Sequence, residues 1–364
     1  MERTDLFEPR WVAPPGATVL DLMRGRHLAI GQLASAVHKD PTTVSRFLHG
    51  IEPLTPDWAE SLARIVGAST AFWLRREEMY RSDLKRLCHE ASFHISDLAN
   101  TLPLKDMVRF GWIEKGESED ETAMNACAFL GVVTTESFQL RYRDLLSSAA
   151  YRASNAFATQ PSAVAVWLRQ GEIAASAVDC DPWDSGKLRS SIDAIRALTR
   201  EPDPAVFLPK LEALLADCGV ALVIARAPSG CRASGAARFL NTGKGVIQLS
   251  FRYLSDDQFW FSLFHEIGHM LLHAKDGLTL EMDHEQKSSA ESEADDFAIN
   301  TLFVKVGPET LRSIDTTKYE IARLARKAGV SNGLVVGQLQ AMARIPYKHF
   351  NYMKVRYKWE PDAA

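Results

Sequence analysis

The sequence predicts a mostly α-helical protein with one small β-sheet, an α+β chain whose all-helical N-terminal part precedes a part built around a buried helix. Three observations carry this. Apolar residues recur at helical spacing, with Gly and Pro stops, through residues 14 to 80. Three short apolar runs with turn signals between them fall at residues 219 to 252. The stretch Phe259 to His273 is apolar on nearly every side except where His and Glu interrupt it.

Length and composition set the bounds. At 364 residues and 46% hydrophobic content, the chain can bury two or three cores. No apolar run approaches the roughly 18 residues of a membrane span, and the acidic, Pro-containing start is unlike a signal peptide, so a cytoplasmic location without membrane partners is expected. The five cysteines are scattered and form no Cys-x-x-Cys pair, which argues against a disulfide framework or a cysteine zinc site. A net charge of −4 exerts no global pull on nucleic acid, so any DNA contact must be local.

Residues 1–83 read as the first domain. A short helix from Val19 stops near Gly25, a second carries Ile30, Leu33, Ala34 and Val37 on one face, and the turn His38 to Pro41 breaks it. Thr42 to His49 then forms a helix with Val44, Phe47 and Leu48 inward and Thr42, Thr43, Ser45, Arg46 and His49 outward, ending at Gly50. A four-residue turn before a helix with that outer face suits a reader of the DNA major groove, and Gln32 is placed to hold a phosphate. Residues 10 to 50 hold five basic side chains against Asp21 and Asp40. An ordinary helical hairpin gives the same periodicity. A capped helix from Leu54 to Gly67 and another at Ala71 to Leu74 complete this core.

Residues 84–200 read as a helical connecting region, including an acidic helix start at Glu114 to Thr122 and an amphipathic helix with Leu188, Ile192, Ile195 and Leu198 inward. Residues 201–364 read as the third unit. A helix from Val206 to Ala216 leads into strands at 219–225, 234–240 and 245–252, the last two separated by the turn Asn241-Thr-Gly-Lys. The Gly- and Ala-rich middle strand is the expected edge to which an extended substrate adds.

In the helix that follows, His265 and His269 stand one turn apart on one face with Glu266 beside the first. This H-E-x-x-H spacing lets two imidazoles hold a divalent metal, foremost Zn²⁺, with the glutamate close enough to take a proton from water. A catalytic zinc wants a third protein ligand. Ser289 to Leu302 reads as a helix with Ala294, Phe297, Ala298 and Leu302 inward. Glu293, at the edge of that face, is the expected ligand and Glu291 is expected to point away. His273 is expected to support the site from beside it, and His284 lies in the intervening loop, expected to be irregular from Ala274 to Ala290. Residues 318–340 read as helix, Gly turn, helix, more in keeping with packing than with DNA reading, and the basic, aromatic tail to Lys358 is expected to dock on the third unit.

Two resemblances add to these readings. Pro14-Pro-Gly, the Gly-ended helix before Gly50, Ile51-Glu-Pro-Leu-Thr-Pro and Phe72-Trp-Leu resemble the Xre/Cro-like helix-turn-helix of HigA-type antitoxins. Val166 to Glu172, Leu249 to Arg252, Phe259 to His273, Glu291 to Ala298 and Val335 to Gln340 resemble the ImmA/IrrE metallopeptidases. That resemblance implies a zincin-like (gluzincin) domain with His265, His269 and Glu293 as zinc ligands and Glu266 as catalytic base. It implies a zinc metalloendopeptidase coupled to a DNA-binding domain, with a repressor or antitoxin as protein substrate and a double-stranded operator as second partner. The alternative is a DNA-binding repressor or antitoxin, working as a homodimer, whose peptidase fold senses or binds a partner with little turnover.

Overall fold

A computed structural model describes residues 12–90, 98–143, 160–274, 278–282 and 288–359. The chain begins with α1 (Pro15–Arg26), α2 (Ile30–Ala36), α3 (Pro41–Leu48), α4 (Pro56–Val66) and α5 (Thr70–Glu90). Proline occupies the first turn of α1, α3 and α4, where a missing N–H costs nothing, and the Asp40 carboxylate caps α3 by accepting from Thr43 N at 2.9 Å. Val19, Leu33, Phe47, Trp58, Leu62 and Trp73 close a core of their own. The Phe47 and Trp58 rings lie 4.9 Å apart at its centre.

Next come α6 (Leu104–Arg109), α7 (Glu119–Leu130), α8 (Thr135–Arg141) and α9 (Pro161–Ser176). Of the acidic helix start expected at Glu114 to Thr122, only Glu119 onward is helical, as the first turn of α7, capped by Ser118 and favoured by the helix dipole. All six residues from Ala163 to Leu168 in α9 are without solvent contact, so this helix is a core element.

The reason is the sheet. β1 (Val220–Ile224), β2 (Ala233–Phe239), β3 (Gly245–Leu249) and β4 (Thr279–Met282) are ordered β1-β3-β2-β4, with β1 and β3 parallel and the other pairs antiparallel. Successive side chains point to opposite faces. Val223, Ala236 and Val246 join the core under α9, while Leu222, Ala237 and Ile247 join a second core with α10 (Ser185–Leu198), α11 (Pro204–Ala216) and α12 (Asp256–Leu272). The connecting region is therefore packed into the body that holds the sheet: α9 covers one face and α10 shares the core of the other.

Two expectations change here. Thr279-Leu-Glu-Met forms a strand inside the stretch read as loop, because Leu280 buries itself and the Thr279 hydroxyl donates to Ala237 O at 3.0 Å. That strand takes the position expected for a substrate beside β2, so β2 is interior and β4 is the edge.

The remainder is α13 (Ser289–Leu302), α14 (Thr310–Ser313), α15 (Lys318–Ala328), α16 (Asn332–Ala341) and a 3₁₀ turn at Asn351–Met353. Val335, Val336 and Leu339 of α16 are buried, in line with a packing hairpin. The tail docks as expected: Asp256 N donates to Val355 O at 3.1 Å, and Lys354 Nζ lies 2.6 Å from Asp257 Oδ2. No described helix is long and apolar enough to cross a membrane.

The N-terminal bundle rests on this body through α3 and α9. His49, at the end of α3, contacts Ser45 O at 2.8 Å and faces the charges of Arg169 and Glu172 on α9, which pair at 2.8 Å. Burial, aided by Arg169, lowers the His49 pKa to about 4; burial pushes Glu172 up, but Arg169 outweighs it and holds that carboxyl at about 2. The His49 shift makes docking pH-dependent. Its ring titrates near 6.5 when exposed and near 4 when packed, so stabilisation is complete above pH ~6.5 and is lost as the pH falls toward 4, by at most about 3 kcal/mol. Thermal unfolding followed from pH 7 to pH 4 should show this loss in the wild type and a flatter profile in His49→Gln; equal slopes would remove His49 as the cause.

Candidate metal centre

The site grows from α12, whose position is fixed from three sides. Its N-terminus is strapped by the tail. Gly333 and Gly337 of α16 leave the room that Asp256 and Asp257 fill, since a Cβ on either glycine would collide with those carboxylates. On the remaining side α13 crosses at Gly268, where a Cβ would stand 3.1 Å from the Phe297 ring and 3.3 Å from Ala294 Cα. A glycine at that crossing is what allows the two helices so close.

This proximity brings three donors together. His265 Nε2 and His269 Nε2 are 3.0 Å apart, and Glu291 Oε2 lies 3.1 Å from the first and 3.6 Å from the second. Ligand atoms about 2.0–2.1 Å from a tetrahedral zinc are separated by roughly 3.3 Å, so the donors have the spacing of a site's edges. The set fits a metal in protonation state also. Burial pushes the Glu291 carboxyl up, but hydrogen bonds with His265 and His269 outweigh it and hold the group well below the usual carboxylate range. Burial lowers the His269 pKa, favouring the neutral ring with a lone pair to offer.

Glu291, not Glu293, completes the trio. At 100° per residue, Glu291 shares one stripe with Ala294, Ala298 and Leu302, whereas Glu293 is turned about 200° from it. Counting Phe297 with Ala294, Ala298 and Leu302 on the inward face put Glu293, one turn before Phe297, at its edge; in the structure Phe297 is only half-buried while the other three are buried. Glu293 is 60% exposed and its carboxylate lies 3.3 Å from His273 Nε2; the Glu291 side chain is 15% exposed. His273 Nδ1 in turn lies 3.1 Å from His269 Nδ1, the supporting place expected for it. His284 lies outside the described residues.

A further residue escaped the sequence reading. Asp295 Oδ1 is 2.9 Å from His265 Nδ1, which fixes the ring with Nε2 toward Glu291. The signal was the Glu291-x-x-x-Asp295 spacing, which puts both carboxylates on one face. Glu266 is fully buried, and its carboxylate fits against β2 because residue 235 is glycine: a Cβ there would collide with it.

The expected DNA contacts are placed differently. Ser45 is buried and donates to Ile173 O of α9 at 2.6 Å, and Arg46 Nη1 donates to Gly111 O and Trp112 O at 3.3 and 3.1 Å. Both reach the body, because part of the helix face read as solvent-facing packs on it. The Gln32 side chain accepts from Ala29 N at 2.9 Å, Thr43 Oγ1 donates to Asp40 at 2.6 Å, and Thr42 is exposed. Asp179 accepts from Ile30 N and Gly31 N, both at 3.0 Å, fastening the start of α2 to the same body.

Residues 221–339 match the family model described as the IrrE N-terminal-like domain, of the peptidase M78 family. The match spans β2 to β4, α12, α13 and all the site residues, and leaves out the N-terminal bundle and α9. No curated protein matches the chain.

The two glutamates make the assignment testable by metal analysis. Glu291→Gln should weaken zinc binding more than about 100-fold and Asp295→Asn about 10- to 100-fold, while Glu293→Gln should change it less than about tenfold. Stoichiometric zinc in purified Glu291→Gln would remove that residue as a ligand.

Proposed function

We propose that the protein is a zinc-dependent endopeptidase, and the observation that carries this reading is the convergence of His265, His269 and Glu291 beside the buried Glu266. His265, His269 and Glu291 would hold the ion, which when bound lowers the pKa of a coordinated water and polarises the substrate carbonyl. Glu266 would take the proton of the attacking water and deliver it to the leaving amine. Asp295 keeps His265 in the tautomer that presents Nε2. The exposed edge of β4 offers backbone groups to an extended peptide, which is how a substrate strand would be held. The protein substrate in this reading is a repressor or antitoxin, cut in the cytoplasm.

A second reading concerns the N-terminal bundle, favoured by its observed helix, four-residue turn and helix. In it the bundle reads duplex DNA when separated from α9, since Ser45 and Arg46 are engaged while docked. Weakening the dock from the other side, by Asp179→Ala with Glu172→Ala, should raise affinity for a duplex carrying the gene's own promoter at least about tenfold; no gain would leave α3 as a docking helix only.

For the hydrolytic reading, zinc-loaded full-length protein is incubated with the product of the adjacent gene and fragments are read by mass. Glu266→Gln should keep its zinc and lose cleavage by a factor of about 10² or more, and Gly235→Ala should slow cleavage at unchanged zinc content. Unchanged cleavage by zinc-loaded Glu266→Gln would defeat this mechanism.

A further inference from the structure

One end of β2 borders a cavity of about 500 Å³ whose lining includes Arg109, Arg232, Arg252, Gln160 and the turn Pro228 to Cys231. Among the residues that line it, three guanidinium groups stand against a single carboxylate, Asp106, already engaged by Arg109 at 2.8 Å and by Ser229 N at 2.6 Å. Arg252 Nη1 donates to the backbone Arg232 O at 3.3 Å, which ties the segment after β3 to the residue before β2. In a chain of net charge −4, this is a local reversal of sign facing an open space.

The cavity opens at the end of β2, the strand whose Gly235 lies against Glu266. Arg232 is three residues before Gly235, the position that lies against Glu266, so along the strand the two are roughly 10 Å apart. Arg252 also lines a furrow with Gln258 and Ser262, and Ser262 is one helical turn before Glu266 on α12. An extended peptide advances at about the same 3.3 Å per residue as a strand, so about three residues separate a bond at Glu266 from a side chain in the cavity. Arginine forks donate bidentately to carboxylates, which adds selectivity for the planar anion.

We infer that this arginine-lined cavity is a subsite for acidic side chains of the peptide substrate, about three residues from the bond cut at Glu266. The inference rests on the peptidase reading and names its substrate class: segments with Asp or Glu near the scissile bond. Inorganic phosphate shares the anionic chemistry and serves as the competing small anion.

The test uses full-length Glu266→Gln, which binds without cutting, and a fluorescein-labelled decapeptide containing a Glu-Asp-Glu block, beside its Gln-Asn-Gln counterpart. Anisotropy should show the acidic peptide binding at least about tenfold tighter, the preference vanishing in Arg232→Glu and falling in the exposed-site variant Arg109→Ala. Folding of each variant is checked by circular dichroism and zinc content. In the wild-type chain, mapped cuts should fall two to four residues from an acidic position. Equal binding of the two peptides overturns the subsite, as does a preference that survives Arg232→Glu in a folded variant. Displacement by phosphate without any acidic preference also overturns it, leaving an anion site unrelated to substrate. Cleavage without acidic preference would sink the subsite and keep the peptidase, whereas acidic preference without wild-type cleavage would keep the subsite and sink the peptidase.

Discussion

Everything at the candidate centre depends on how closely α12 and α13 cross. Packed helices ordinarily keep their axes 8 to 10 Å apart, set by the side chains between them. Here Gly268 meets the backbone of Ala294 and the Phe297 ring, with no side chain on its own helix to hold them off. Glu291 lies one turn before Ala294, so the short glutamate reaches both imidazoles only because Gly268 and Ala294 touch. The sheet and α16 hold α12 from its other sides, which prevents the crossing from being relieved by tilting. A larger residue at 268 would act on the metal site without touching a ligand.

How much of this the sequence disclosed depended on the range of the interactions. His265, Glu266 and His269 are legible because their relation is one helical turn, a local matter. Glu291 lies on a helix equally legible, yet its selection depended on the rotational phase of that helix against α12. Including Phe297 in the inward face favoured Glu293, one turn before it, over Glu291, which shares the stripe of Ala294, Ala298 and Leu302. The helices of the N-terminal bundle were readable from period and stops, while their docking was not: Ser45 meets Ile173 and Ile30 meets Asp179 across well over a hundred residues. β4 was missed because a four-residue strand among polar neighbours has too little pattern to separate it from a loop, and only its pairing with β2 stabilises it.

α9 carries more than its connecting position suggested. One side covers the sheet, where Arg238 of β2 donates to Leu168 O at 2.5 Å and Gln248 of β3 donates to Trp167 O at 2.7 Å. The other side receives α3. Between them lie Arg169, Glu172 and His49, close enough that each perturbs the titration of another. Burying such a cluster adds little net stability over an apolar one of equal volume, because desolvation offsets most of the attraction. What it does supply is register: Arg169 is held by Phe129 O at 2.9 Å as well as by Glu172, so the bundle can approach α9 in few orientations. The N-terminal part is thereby fitted to the same helix that supports β2.

The ligand set alone does not decide the metal. Two histidines and one carboxylate also hold iron in oxygenases, with several coordination positions left open. The residue that separates the two chemistries is Glu266, whose acid is not in the trio and yet is completely buried beside it. β2 makes room for that carboxylate by placing a glycine where any side chain would obstruct. In the proposed reading, hydrolysis needs a base adjacent to the water, and Glu266 is the residue placed to supply it.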